Sequence, residues 1–460
     1  MGQSGAMPNP STPQARAGAS AALATPVLAS SREVARATAP PGAVSAPARL
    51  AAPGLAGVVP TELASWLVAR GERAFRTRQI LDGVWRSPAT GTSGISTLPP
   101  VLRDALDATF RWDTIVSTDR TAADGGATEK FLHRLVDGAV VESVLMHVPP
   151  GPDRRERHTL CISSQAGCAV GCPFCATGEL GFTRDLLTAE ILDQVRAAAR
   201  HLAASRTVGR SPRPVSEVDR RHLTNVVFMG MGEPLLNLDH VLEAIEALND
   251  PARFGLGARH ITVSTSGVVP GIRRLTEIGA QFSLAISLHA ARGPLRDVLV
   301  PLNRRWPVDE VVAAARDHAA ATGRRVTYEV VMIGGINDTA ADADAMAALL
   351  HGDLAHVNLI PMNPVAHTPW HASTPEAIER FAARLRAAGL PVTIRRNRGQ
   401  EVGAACGQLA ARRAGAPAPS AVAWRRRRLE AASLAAIRGD ETEAVEPVLA
   451  RAATEAGTTP

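Results

Sequence analysis

The sequence predicts an α/β protein: an open, partial (β/α)6 barrel preceded by a small helical accessory unit and flanked by disordered tails. Three observations lead there. Between residues 159 and 412, short β-rich runs alternate six times with helical stretches, the pattern of a parallel sheet with right-handed crossovers. Upstream, "ELASWLVARGERAFRTRQILDGVWR" carries apolar residues at helical spacing. Both ends of the chain are rich in Ala and Pro, although the whole 460 residues are 45% hydrophobic and 20% charged, a globular balance.

In chain order, residues 1–57 contain one acidic residue, Glu33, and few large apolar ones. Such a segment cannot bury enough surface to offset its ordering entropy, so disorder is expected. Residues 58–115 form the helical unit, opened by Pro60-Thr61-Glu62. Residues 116–158 are expected as a β-hairpin linker, since "TEKFLHRLVDGAVVESVLMHV" reads as two strands turning at Asp137-Gly138. The barrel core, 159–412, pairs each strand with a helix: "TLCISS" with 188–204, "NVVFMG" with 239–249, "HITVSTS" with 270–279, "FSLAISLH" with 308–322, "RVTYEVVMI" with 340–351, and "HVNLIPM" with 375–389. A last strand follows in "PVTIRRN". Six units are fewer than the eight of a closed barrel, so the barrel should be open, with its chemistry at the carboxyl ends of the strands. The polar run 205–221 reads as a loop, and 413–460 as a basic, Ala-rich tail containing Arg425 to Arg428.

The net charge is +6, and Lys130 is the only lysine. Guanidinium-rich basic chains suit an anionic partner such as RNA, though a compositional bias would produce the same residues. No apolar run approaches the roughly 18 residues of a membrane helix, so a cytoplasmic protein is expected.

Four of the five cysteines, Cys161, Cys168, Cys172 and Cys175, fall within fifteen residues; the fifth is Cys406. Clustering of this kind points to metal or redox chemistry rather than a disulfide framework. Cys168-Ala-Val-Gly-Cys172-Pro-Phe-Cys175 follows the first barrel strand as C-x3-C-x2-C. Three thiolates hold three irons of a [4Fe–4S] cluster and leave the fourth open to a small molecule. The competing reading is structural zinc, which wants a fourth ligand in close spacing. Gly230-Met-Gly232-Glu233-Pro234 ends the second strand; its glycines admit a close-lying ligand, and its carboxylate suits an ammonium group.

With "ATGELGFTRDLLTAEI" behind it, this cysteine loop resembles the radical S-adenosylmethionine (SAM) superfamily. The resemblance is closest to its RNA adenine methyltransferase branch, the RlmN/Cfr family. It spans residues 60–412 through "CISSQAGCAVGCPFC", "FMGMGEPLLN", "VSTSGVVPGI", "SLHA", "LIPMNP" and "AACGQL".

The resemblance implies a [4Fe–4S] cluster on Cys168, Cys172 and Cys175, and two SAM molecules per turnover. It assigns SAM contacts to Gly232, Glu233, Ser264, Ser287, Leu288, His289 and Asn363. Cys406 is implied as methyl carrier, because an aromatic carbon bearing hydrogen cannot attack SAM directly whereas a thiolate can. A second SAM then yields a 5′-deoxyadenosyl radical that activates the S-methyl group for addition to adenine. Cys161 is implied as the resolving thiol, forming a transient disulfide with Cys406, and Glu142 as proton acceptor; a solvent-facing strand glutamate is the plain alternative for the last.

The implied activity is methylation of adenine C2 in 23S ribosomal RNA, with tRNA as a second candidate substrate. A monomer using a flavodoxin- or ferredoxin-type reductant is expected. Two alternatives stand: a resistance-type enzyme that methylates C8 with the same residues, and a non-catalytic iron–sulfur RNA-binding protein, which would need neither Cys406 nor Cys161.

Overall fold

The computed structural model describes residues 52–409, apart from 88, 153–154, 208–222 and 396. The expectations for residues 1–51, for 208–221 and for Arg425–Arg428 lie outside the described residues. Ten strands form one sheet, in the order β1 (Ile115–Ala123), β2 (Thr128–Leu135), β3 (Val140–Val148), β4 (Arg157–Cys161), β7 (Asn225–Phe228), β8 (Ile261–Thr265), β9 (Ser283–Ser287), β10 (Val326–Met332), β11 (Ala355–Pro361) and β12 (Val392–Ile394). Two further strands, β5 (Gln165–Gly167) and β6 (Phe182–Asp185), make a separate hairpin.

From β4 to β12 every pairing is parallel, with helices Thr188–Thr207, Leu238–Asn249, Val269–Glu277, Val308–Thr322, Ala340–Leu349 and Pro375–Ala387 as the crossovers. These are the six β/α units expected, arranged as the open barrel.

Alternation along the strands decides which face meets the helices. Ile261 and Val263, Leu284 and Ile286, Tyr328 and Val330, and Val357 and Leu359 are all buried, in the core shared with the helices. Burying each of the aliphatic side chains among these contributes about 2 kcal/mol. The opposite face carries Thr262, Ser283, Thr327, Asn358 and Thr393, which line a cavity inside the barrel. Closed barrels fill that space with branched aliphatic side chains. This one leaves it open.

Three expectations change. Residues 116–158 are not a linker: β1, β2 and β3 continue the main sheet through antiparallel pairing of β3 with β4. The third strand, β1, escaped notice because it is an edge strand with seven of its nine residues exposed, so its sequence shows no alternation. Ordered structure also begins before 58. Leu55 and Ala56 are buried in a short helical turn, and Gly54 and Gly57 lie against Ala189, where a β-carbon would come within 2.9 Å or less of that residue. Finally, helix Thr188–Thr207 continues into the run read as a loop from 205.

The helical unit holds Pro60–Val68, Phe75–Trp85 and Pro100–Thr109, with Pro at the start of the first and third, where its missing N–H costs nothing. It is fixed to the barrel by Arg196, which donates to the carbonyls of Val84 and Trp112 at 3.2 and 2.8 Å. Asp193 accepts from both the N–H and the hydroxyl of Thr114, at 2.6 and 2.7 Å. Among the described residues no helix is long and apolar enough to cross a membrane.

Candidate active site

The β5–β6 hairpin pinches the cysteine loop at its base: Cys168 N–H donates to the Gly181 carbonyl at 3.0 Å. Cys175 N–H donates to the Cys172 carbonyl at 3.1 Å, turning the loop into helix Ala176–Leu180. Gly178 lets that helix lie on the loop, since a β-carbon there would sit 2.9 Å from the Cys172 backbone. Val170 and Phe174 pack with Ile333, Met362 and Trp370, an apolar wall against Cys168 and Cys172.

Burial pushes the Cys168 thiol up to about 12 and raises Cys172 and Cys175 as well; the charge of one thiolate further opposes ionisation of its neighbours in Cys168 and Cys172. Three adjacent half-buried thiolates need a cationic partner, and iron–sulfur ligation would supply it. Among the described residues no three Cys, His, Asp or Glu side chains could hold a single metal ion.

Beside the loop, Gly232 adopts φ 101° with its α-carbon pressed on Gln165; a β-carbon would lie 2.5 Å from Gln165 Cβ. Gln165 in turn accepts from Glu233 N–H at 2.9 Å. The Glu233 carboxylate is buried and accepts from Leu235 N–H at 3.1 Å and from both the N–H and the hydroxyl of Ser266 at 2.7 Å. It is thus oriented in advance, while burial raises its pKa; a bound ammonium would offset that cost. Its setting fits the amino end of SAM.

Ser264 and Ser287 lie on β8 and β9, near their carboxyl ends. Leu288 is fully buried, its N–H donated to the Glu329 carbonyl at 3.0 Å. His289 adopts φ 61°, an uncommon conformation for a residue with a side chain. Its Nδ1 accepts from Val331 N–H at 3.1 Å, and its ring meets Phe174 of the cysteine loop edge-on at 4.7 Å. Burial, aided by nearby Arg296, lowers the imidazole to about 3, so it is neutral.

Cys161, Cys175, Cys406 and Asn363 line one cavity of about 770 Å³. Cys406 is exposed and Cys161 buried, both as free thiols. Burial pushes Cys161 up to about 12; Cys406 adds to that shift and Arg395 opposes it. The C-terminal loop rests on the cysteine loop: Ala176 N–H donates to the Gly407 carbonyl at 2.7 Å, and the Thr177 hydroxyl to the Leu409 carbonyl at 2.7 Å. Asn363 donates to the Cys406 carbonyl at 3.0 Å and accepts from Gln400 at 2.7 Å. Those contacts make it a support of the Cys406 backbone. Glu142 is buried on β3, 3.3 Å from Lys130 Nζ, not solvent-facing.

The sequence reading missed Arg296. It is completely buried, and its guanidinium donates to the carbonyls of Leu288 at 3.0 Å, Ser266 at 2.7 Å and Ser287 at 3.3 Å, and to Asn303 at 2.9 Å. It ties the ends of two strands beneath the site, and desolvation lowers its pKa to about 10. The available signal was a charge on the apolar face of Gly293–Leu299, one residue after Leu295 and three before Leu299. Ser266 and Gln165 lie within the quoted motifs "VSTSGVVPGI" and "CISSQAGCAVGCPFC", but nothing in those motifs set them apart from their neighbours.

A family profile described as the radical SAM superfamily matches residues 162–350, covering the cysteine loop and most of the parallel strands. The fold and its three-thiol loop define a radical SAM enzyme. Among similar proteins, one from Parafrankia sp. is 52% identical over 68% of this chain and 80% of its own length. One from Thermobifida fusca is 46% identical over 78% of this chain and 94% of its own; each bears the name "Probable dual-specificity RNA methyltransferase RlmN". The crystal structure of a radical SAM methyltransferase from Sphaerobacter thermophilus, 44% identical, superposes with a TM-score of 0.72 over 78% of this chain and 100% of that one. The chain belongs to the RlmN family and is a radical SAM methyltransferase.

Proposed function

We propose that the protein methylates C2 of an adenine in 23S ribosomal RNA, and also in tRNA, by way of a methyl group carried on Cys406. The observation that carries this reading is the single cavity shared by Cys161, Cys406 and the cysteine-loop residue Cys175. The dual-specificity RNA methyltransferase name of its relatives supports RNA as the substrate and two RNA classes as targets. Cys168, Cys172 and Cys175 would hold a [4Fe–4S] cluster; Gly232, Glu233, Ser264, Ser287, Leu288 and His289 would hold SAM beside it. When bound, the cluster and SAM supply the methyl group and the radical that activates it, with one SAM for each of those two tasks.

The residues divide the remaining work. Cys406, exposed to the cavity, takes the methyl group on Sγ and presents it to the base. Asn363 fixes the backbone behind it. After the carbon–carbon bond forms, the unpaired electron of the adduct passes to the oxidised flavodoxin- or ferredoxin-type carrier, Glu142 accepts the proton of the adenine carbon, and the C–H electron pair restores the ring. Cys161 Sγ then attacks Cys406 Sγ. A disulfide forms, the bond from Cys406 sulfur to the methylene carbon breaks, and its electron pair stays on that carbon, which takes a proton and becomes the methyl group. The disulfide is the two-electron oxidation product and is reduced by thiol exchange before the next cycle. Work in the cytoplasm as a monomer, with a flavodoxin- or ferredoxin-type electron donor, completes the reading.

The test compares two variants. Cys406→Ala should yield neither S-methyl protein nor methylated RNA. Cys161→Ala should accept the methyl group, add to RNA and stall, so that the purified protein carries covalent RNA that nuclease removes on a denaturing gel. Equal freedom from RNA in both variants would refute the assigned roles. Mass spectrometry of the released nucleoside separates 2-methyl- from 8-methyladenosine.

A further inference from the structure

Of 50 basic residues Lys130 is the only lysine, so the chain's strong preference for arginine has an exception at one position. That position is β2, inside the barrel. Thr128, two residues before it, lines the cavity, as do Val144, Met146 and Val148 of β3, which share their strand face with Glu142. The β2–β3 register pairs Leu132 with Glu142 and Lys130 with Val144, so lysine and glutamate are diagonal neighbours. Nζ stands 3.3 Å from Glu142 Oε1, with side-chain exposures of 18% and 3%.

The pair also lies between two loops of the site. On one side is the loop leading to Cys406. A β-carbon on Gly403 would be 3.6 Å from Lys130 Nζ, and one on Gly399 would be 2.8 Å from Thr128 Cγ2. On the other side, the Ser163 hydroxyl donates to the Glu142 carbonyl at 2.6 Å and accepts from Met231 N–H at 2.9 Å. That ties the Glu142 backbone to the loop of Gly232 and Glu233.

We infer that Lys130 is a positioning residue for proton transfer: its ammonium holds the Glu142 carboxylate ionised and aimed at the adenine carbon presented by Cys406. The inference rests on the reading of Glu142 as proton acceptor. A buried carboxylate is penalised by desolvation, and the ammonium 3.3 Å away offsets part of that cost. A compact ammonium does so beneath Gly403, where the broader guanidinium fork would press on the loop bearing Cys406. The proton that moves goes from carbon to Glu142.

The test uses the cluster-loaded full chain and two measurements: S-methylation of Cys406 by peptide mass, and covalently retained RNA on denaturing gels. Glu142→Gln should be S-methylated and retain RNA. Lys130→Met, which keeps the shape of the stem but not the charge, should also be S-methylated. Its release of RNA should slow roughly 10- to 100-fold, the equivalent of one lost charged hydrogen bond. Lys130→Arg should release faster than Lys130→Met, and the double variant Lys130→Met/Glu142→Gln should be no slower than Glu142→Gln alone.

Normal release by Lys130→Met beside a stalled Glu142→Gln would overturn the role of Lys130 alone. Normal release by Glu142→Gln would overturn the reading of Glu142, and the inference with it. Slower release by Lys130→Arg than by Lys130→Met would make the residue a packing element and overturn the inference. Should Lys130→Met lose S-methylation altogether, Lys130→Arg decides: S-methylated protein that releases RNA faster than Glu142→Gln upholds the inference, and one that stalls equally overturns it.

Discussion

Glu233 and Cys406 approach the same chemistry from ground built in different ways. Glu233 follows strand β7 and is held by three hydrogen bonds from Leu235 and Ser266, within a backbone braced by Gln165. Cys406 sits in a loop beyond the last strand, and its own backbone is held by the side chain of Asn363. Around it, loop and barrel meet through single bonds at Gly407, Gln408 and Leu409. The strand ends are fixed before a ligand arrives, which suits groups that orient SAM. On the proposed reading the carrier has two appointments, first to receive a methyl group and then to deliver it, and a few separable bonds hold it for each.

The largest expected effect probes the fixed side. Replacing Cys168, Cys172 and Cys175 together with Ala should abolish iron loading and 5′-deoxyadenosine formation completely; iron analysis and product chromatography measure both. Retained activity would remove the cysteine loop from the comparison.

Arg296→Met comes next. It strips the buried carbonyls of Leu288, Ser266 and Ser287 of their donor and should cost about 3 kcal/mol of stability, read by denaturant unfolding, with SAM binding weakened as well. A neutral result would mean that the strand ends hold themselves.

Asn363→Ala tests the carrier side and should cost about 1 kcal/mol locally. S-methylation of Cys406 should slow several-fold while iron content stays unchanged. A loss of iron instead would tie carrier and cluster into one rigid unit. Deleting residues 1–51 should alter neither measurement, whereas deleting through 57 removes the buried Leu55 and should cost about 2 kcal/mol, seen as an earlier unfolding midpoint.

The same division explains what was legible in the sequence. The β/α alternation was visible because each strand must cover its helix-facing side, and Ile261, Val263, Tyr328 and Val330 write that requirement into the chain. The cysteine spacing was equally plain. Strand β1 was not, since an exposed edge imposes no pattern. Nor were contacts such as Arg296 to Ser266 or Asn363 to Cys406, which join residues 30 and 43 positions apart and exist only once the strands are in register. Glu142 was placed by the resemblance, but its burial against Lys130 emerged only from pairing β2 with β3.

The sheet has two edges, and the chain spans the gap between them. Arg398 donates to the His147 carbonyl of β3 at 2.9 Å, and Gly399 N–H to Asp124, just after β1, at 2.8 Å. Asn397 reaches back to Pro361 at the end of β11 at 3.0 Å. The barrel is therefore buttoned shut by the segment that runs on to Cys406. A slip in the lacing at either edge would be passed along seven residues and arrive as a misplaced sulfur, so the tolerances of the wall are also the tolerances of the reaction.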